Sequence, residues 1–222
     1  MSLKSILSLL LIFISSAAPA SLVIIDPGHG GNDQGAAYYN IKESDIVLQI
    51  ASKIKQHLTT STEAPKVFLT REKNNYVSLE KRIDFQGLSP LKPDLFVSLH
   101  ANSSTLKSIK GMEVYFQTDK KNKTSLKLVD DLVEELKQTA LVNQSLKASL
   151  LLQKNWSTSH SVIRRSGFYV LENSDVPSLL IEMGFLSNIE EARELQNSDH
   201  QADIAKNIAE AILDYLKTSQ PR

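Results

Sequence analysis

Cysteine is missing altogether from this 222-residue chain. Its absence excludes disulfides, lipid attachment through sulfur, thiolate metal ligands and a thiolate nucleophile. Any metal must therefore be held by imidazole and carboxylate groups, and the fold must be stabilised by its core. An excess of either charge is missing too, because 25 basic side chains balance 25 acidic ones. Nothing in that balance favours capture of nucleic acid or of an anionic membrane surface. Internal repeats, heptad runs and low-complexity linkers are also absent. The apolar fraction, 41%, is ordinary for a globular protein, and the length suits one domain.

Runs long enough to span a bilayer are lacking as well. Ile6–Ile14 is apolar but short for that task. It follows Lys4 and precedes the small-residue stretch Ser15–Ala20, which ends in Ala-Pro-Ala. This order reads as a secretory signal cleaved after Ala20, with an uncleaved N-terminal anchor as the alternative. Residues 1–20 are set apart on that reading, and residues 21–222 are expected to form one exported domain that makes no membrane contact after cleavage.

The remainder alternates strand and helix signals. Leu22–Asp26 is an apolar run of strand length that ends in a turn, with His29 inside Gly28–Gly31. Ser44 is a candidate N-cap for a helix whose Ile46, Ile50, Ile54 and Leu58 recur at helical spacing. Strands are expected at Val67–Thr70, Asp94–His100, Gly111–Gln117, Phe168–Leu171 and Ser178–Glu182. Helices are expected at Leu79–Phe85, at Ser125–Leu141 with a core-facing Leu128–Leu136 stripe, after a Ser187/Glu190 capping box, and along Ile204–Leu216. Asn143–His160 is less regular and holds the single Trp, Trp156; its apolar Leu150–Leu152 suggests a flap near the cleft, with packing on the sheet as the plainer alternative. This order predicts an α/β fold: a three-layer αβα sandwich with a mostly parallel twisted sheet and helices on both faces.

In such sheets ligands bind at the carboxyl ends of the strands. His29 and His100 follow strand runs at such ends, and each can supply an imidazole to a catalytic zinc with three protein ligands. Glu43, in Asn40–Asp45, is the best third ligand, with Asp45 and Asp33 as local competitors. Glu182 stands isolated within apolar Ser178–Asn188, where a carboxylate is costly unless it is paired or does chemistry. Arg71, Arg82 and Arg165 are the candidate partners for pairing. In the chemical reading, Glu182 is the general base for a water attacking a carbonyl carbon. Asp26 is a candidate to orient His29 or, equally, a turn-capping aspartate. Asn102 is a candidate substrate contact or a local loop-closing group, and His160 a candidate substrate contact. His57 and His200 read as solvated.

At these residues the chain resembles the zinc-dependent N-acetylmuramoyl-L-alanine amidases of the bacterial cell wall, the amidase-3 family. Asp26–Ala36 is similar to the opening motif of that family, placing its metal histidine at His29. Ile41–Asp45 is similar to the segment with the glutamate ligand, placing it at Glu43. Phe68–Phe85 resembles its Thr-Arg segment and following helix, Asp94–Ser103 the strand of the second histidine at His100, and Gly111–Phe116 the next strand. Val176–Asn188 resembles the block holding the catalytic glutamate, at Glu182. Phe85-Gln86 and Lys110-Gly111 stand where the family often has Ala-Asn and Arg-Gly. The stretch between Phe116 and Phe168 is short for the inserted segment by which some cell-division members block their zinc.

The resemblance implies one catalytic Zn2+ and hydrolysis of the amide between N-acetylmuramic acid and L-alanine of the stem peptide. It further implies a peptidoglycan substrate, a monomer, a location in the periplasm or in an extracellular wall, and room for an activator protein. The rival readings are a zinc peptidase or carboxypeptidase of related architecture acting on stem peptides, and a catalytically silent wall-binding module.

Overall fold

The computed structural model describes residues 21–60, 64–87, 92–118, 128–156 and 160–219. The signal reading of residues 1–20 lies outside them. Six strands form one sheet: β1 (Leu22–Pro27), β4 (Lys66–Leu69), β5 (Leu95–Asn102), β6 (Met112–Gln117), β7 (Ser161–Ser166) and β8 (Ser178–Phe185). Their order is β4-β1-β5-β8-β6-β7. Every neighbouring pair is parallel except β6 with β8. A two-stranded hairpin, β2 (Ala37–Tyr38) with β3 (Ile41–Lys42), sits after β1. Strand β1 is buried along its whole length, which is why it reads as an unbroken apolar run rather than as an alternation.

The two faces of the sheet are covered unequally. One carries α1 (Glu43–Thr59), α3 (Leu128–Asn155), α5 (Ile189–Gln196) and α6 (Ser198–Ser219) over the main core. Ile46, Ile50, Ile54 and Leu58 of α1 are buried at i+4 spacing, as are Ile204, Ile208 and Ile212 of α6. Among the described residues the other face carries only short α2 (Leu79–Asp84) and α4 (Tyr169–Glu172), above a small cluster of Ile24, Phe96, Val170, Leu171, Val176 and Leu180. The expected three layers are present, but the thin one leaves sheet surface open for a cleft.

Four local expectations are corrected. Phe168–Leu171 is not a strand; Tyr169–Glu172 form a single helical turn, closed by Leu171 and Glu172 amides donating to the Phe168 carbonyl. The strand lies earlier, at Ser161–Ser166, an edge strand whose exposed Val162, Arg164 and Arg165 mask its signal. Helix α1 begins at Glu43, with Ser44 buried inside it and no side-chain cap. Helix α5 is capped by Asn188, whose side chain accepts from the amides of Glu190 and Glu191, not by Ser187.

Helix α3 departs most from its pattern. Leu132, Val133 and Leu136 are exposed, so that stripe is not core; the side chains of Leu128 and Val129, and residues 125–127, lie outside the described ones. The helix continues to Asn155 and packs through Val142, Ala148 and Leu152, followed by buried Trp156. Most of Asn143–His160 is therefore main-core packing on the face away from the cleft, not a flap; residues 157–159 lie outside the description. His57 is exposed, and His200 sits in the first turn of α6 rather than in a loop.

Candidate active site

The carboxyl ends of β1, β5 and β8 lie side by side, with Pro27 in register with Leu99 and His100 with Glu182. His29 stands on the turn after β1 with a φ of 56°, a left-handed conformation in which histidine is tolerated but uncommon. Two buried arginines hold that turn. Arg71 donates to the carbonyls of Pro27 (2.9 Å), Gly28 (2.7 Å) and Ser44 (2.8 Å). Arg82 donates to the carbonyls of Val77 (3.2 Å), Pro27 (2.8 Å) and His29 (2.7 Å), and pairs with Asp26. Glycine is required at position 28, because a Cβ there would collide with the His100 ring.

Glu43 opens α1 at a buried position and turns inward. Its Oε1 lies 3.1 Å from His29 Nε2 and 2.8 Å from His100 Nδ1, and accepts from the Ala101 amide at 3.1 Å. Its Oε2 accepts from the Ala36 amide at 2.7 Å. The two histidine rings meet edge to face at 4.9 Å. One donor atom from each of His29, Glu43 and His100 falls within 4.8 Å of the others. Two imidazole nitrogens and one carboxylate oxygen make a donor set suited to a catalytic zinc, which keeps a further position for solvent or substrate. Both histidines line the cleft, so the open side of the triad faces it.

Asp33 takes the orienting part expected of Asp26. Asp33 is not drawn into the triad; its Oδ2 lies 2.8 Å from His29 Nδ1 and fixes the ring so that Nε2 points inward. Asp26 does not orient His29. It is fully buried and is consumed by Arg82, Thr70 and Ser98. Asp45 accepts from Asn74 at 3.0 Å instead of joining the triad.

The charges follow from this packing. Burial works against a charge on His29, but hydrogen bonds and attraction from Glu43 and then Asp33 prevail and carry it up to about 9. Burial also opposes the Glu43 charge, yet His100 and His29 hold its carboxyl far below the usual range. Glu182 goes the other way. Burial pushes it up to about 7, with His100 and His29 partly offsetting and Glu43 and Glu113 adding to the rise. Its Oε2 is buried with no hydrogen-bond partner among the described residues. The arginines that might have paired with it are engaged elsewhere: Arg71 and Arg82 in the turn, and Arg165 over the Phe116 ring at 5.6 Å.

The cleft beside the triad encloses about 200 Å³, walled by Tyr76, Val77, Leu79, Phe168 and Tyr169. A larger hollow of about 740 Å³ opens at the other end of the sheet, near Asp94 and Pro177, and holds none of the converging groups. Asn102 closes its loop by accepting from the Ser103 amide and donates to Glu113 at 2.9 Å. His160 is exposed at the start of β7. The sequence reading missed Glu113 as a neighbour of Glu182; its alternation within Gly111–Gln117 placed it on one sheet face, but only strand order shows which residue stands opposite.

This architecture has known relatives. A family model described as N-acetylmuramoyl-L-alanine amidase matches residues 23–214. N-acetylmuramoyl-L-alanine amidase AmiC of Escherichia coli is 28% identical over 222 residues, covering 88% of this chain and 52% of the relative, so the chain spans about half of that protein. The solved structure of N-acetylmuramoyl-L-alanine amidase AmiC2 of Nostoc punctiforme is 30% identical with a TM-score of 0.71, covering 89% of this chain and 97% of that one. The CwlD amidase from Clostridioides difficile, solved in complex with the GerS lipoprotein, is 26% identical with a TM-score of 0.73, covering 90% and 100%. A match running from the second residue of β1 almost to the end of α6 places the whole sheet and its site within one lineage, and the chain belongs to the N-acetylmuramoyl-L-alanine amidase family.

Proposed function

We propose that this chain hydrolyses the amide joining the lactyl group of N-acetylmuramic acid to the L-alanine of peptidoglycan stem peptides. In this reading His29, Glu43 and His100 hold one zinc ion and Glu182 is the general base. The observation that carries it is Glu182 itself: a half-buried residue whose buried Oε2 has no hydrogen-bond partner among the described residues, in register with His100 on the next strand. A structural acid would be paired. A base for a hydrolytic water needs a free lone pair and a pKa near the working pH.

Zinc in this site supplies Lewis acidity toward the scissile carbonyl and makes water a better nucleophile. The protein groups do the rest. Asp33 keeps the His29 proton on Nδ1, leaving the Nε2 lone pair directed inward. The amides of Ala36 and Ala101 each donate to one Glu43 oxygen and so fix the orientation of its carboxylate. Glu182 takes one proton from the attacking water while the hydroxyl oxygen bonds to the carbonyl carbon. As the C–N bond breaks, Glu182 returns that proton to the leaving nitrogen, giving a muramic carboxyl group and a peptide with a free amino end. Phe168 and Tyr76 flank the cleft.

The test is the purified chain on defined muropeptides, with and without chelator, read by mass spectrometry. Release of intact stem peptides, lost on chelation and restored by zinc, is the expected result. Shortened stem peptides would support the peptidase reading. Absence of any cleavage with zinc present would support the silent module. A wall substrate requires an exported enzyme, periplasmic or extracellular, which agrees with the leader pattern of residues 1–20. No helix among the described residues is long and apolar enough to cross a membrane. The CwlD amidase was solved with the GerS lipoprotein, which supports including a partner protein in this reading.

A further inference from the structure

Antiparallel pairing places Glu113 of β6 directly opposite Glu182 of β8. Like charges in that position repel, so Glu113 needs neutralising partners. The Tyr115 hydroxyl (2.8 Å) and Asn102 Nδ2 (2.9 Å) donate to its Oε2, and Arg164 Nη2 lies 3.5 Å from its Oε1. Arg164 stands on edge strand β7 opposite Tyr115, with Val162 opposite Glu113. The Tyr115 ring meets Phe168 edge to face at 5.0 Å, and Phe168 is part of the cleft wall. The edge formed by β6 and β7 therefore continues the cleft floor outward from Glu182. Arg164 is 55% exposed there. A long contact to a single carboxylate oxygen leaves most of a five-donor guanidinium available to a second anion.

We propose that Arg164, steadied by Glu113, determines specificity by pairing with a carboxylate of the stem peptide two or three residues from the scissile amide. This rests on the amidase reading above. The lactyl carboxyl is tied up in the amide being cut, so the anion must come from the peptide. The spacing follows from the sheet. Two strand separations from β8 to β7 amount to about 10 Å, and an extended peptide advances about 3.3–3.6 Å per residue. Arginine suits this task because its planar fork matches both carboxylate oxygens. As a mere surface ion pair with Glu113 it would contribute almost nothing.

The experiment uses the zinc-loaded full chain on two N-acetylmuramoyl peptides of one sequence, with carboxylates free or amidated. For Arg164→Ala, KM on the free substrate should rise about tenfold or more, the loss of a charge-assisted pair, with kcat within about twofold. Arg164→Lys should recover part of that loss, and the amidated substrate should not distinguish the variants from the wild type. Equal KM changes on both substrates, or none on either, would overturn the proposal. Zinc content and urea midpoint report folding, and Arg164→Gln repeats the charge removal with a longer side chain. If the wild type cleaves neither substrate, the amidase reading itself fails; if it cleaves both and Arg164→Ala leaves KM unchanged, only the role of Arg164 fails.

Discussion

In the proposed mechanism a single carboxyl group, that of Glu182, is the base, and its environment sets what it can do. Replacing Glu182 with Gln keeps the shape and removes the proton acceptor. Turnover should fall by about 10²–10⁴, while zinc content measured by atomic emission stays that of the wild type. Retention of wild-type turnover would mean that another group is the base. Its pH dependence has a defined sign. Burial raises Glu182 to about 7, and only the ionised form accepts a proton, so kcat/KM should decline as pH falls through the value for that group. The charge of a bound cation favours the ionised form further, placing the acid limb at or below pH 7. A limb well above 7 would assign it to another group. His29 yields a separate expectation. Without metal it is carried up to about 9 by Glu43 and Asp33 and is protonated at neutral pH. If His29 ligates zinc as proposed, it must do so as a neutral imidazole, so zinc binding at pH 7 should release about one proton, measurable by calorimetry in buffers of different ionisation enthalpy.

Among the elements, α2 matters more than its six residues suggest, because Arg82 reaches from it into the turn that carries His29. Arg82→Ala strips the buried Asp26 of its ion-pair partner and frees three backbone carbonyls, those of Val77, Pro27 and His29. Breaking a buried pair from one side costs about 3–5 kcal/mol, to be read from the urea midpoint, and zinc affinity should weaken with it. A stability loss below about 1 kcal/mol would demote the pair to a solvated contact. Helix α3 offers the complementary comparison. Leu136→Glu, on its exposed first half, should change stability by less than about 0.5 kcal/mol. Leu152→Ala, within the main core, should cost about 2–5 kcal/mol. The reverse ranking would restore the core stripe that the sequence periodicity suggested. That periodicity misled because an amphipathic pattern shows that a helix has an apolar side and not that something covers it.

For the molecule as a whole, zinc that binds only the folded chain should raise stability by about 2.7 kcal/mol at a hundredfold excess over its dissociation constant, visible as a concentration-dependent Tm. The sequence by itself determined the α/β class, because buried parallel strands and i+4 helical stripes are local signals. It also marked His29, His100 and Glu182, since polar groups at the ends of apolar strands, or inside them, stand out against burial cost. The edge strand Ser161–Ser166 escaped it, because an exposed strand lacks the apolar signal that burial imposes. The parts played by Asp26 and Asp33 escaped it too, because which carboxylate reaches which partner depends on the path of the turn after β1. Only the tertiary structure decided that β6 runs against β8 and sets Glu113 beside Glu182, that one face of the sheet stays thinly covered, and that three donors from distant segments converge. Strand order and direction are fixed by contacts across tens of residues, which no local pattern encodes.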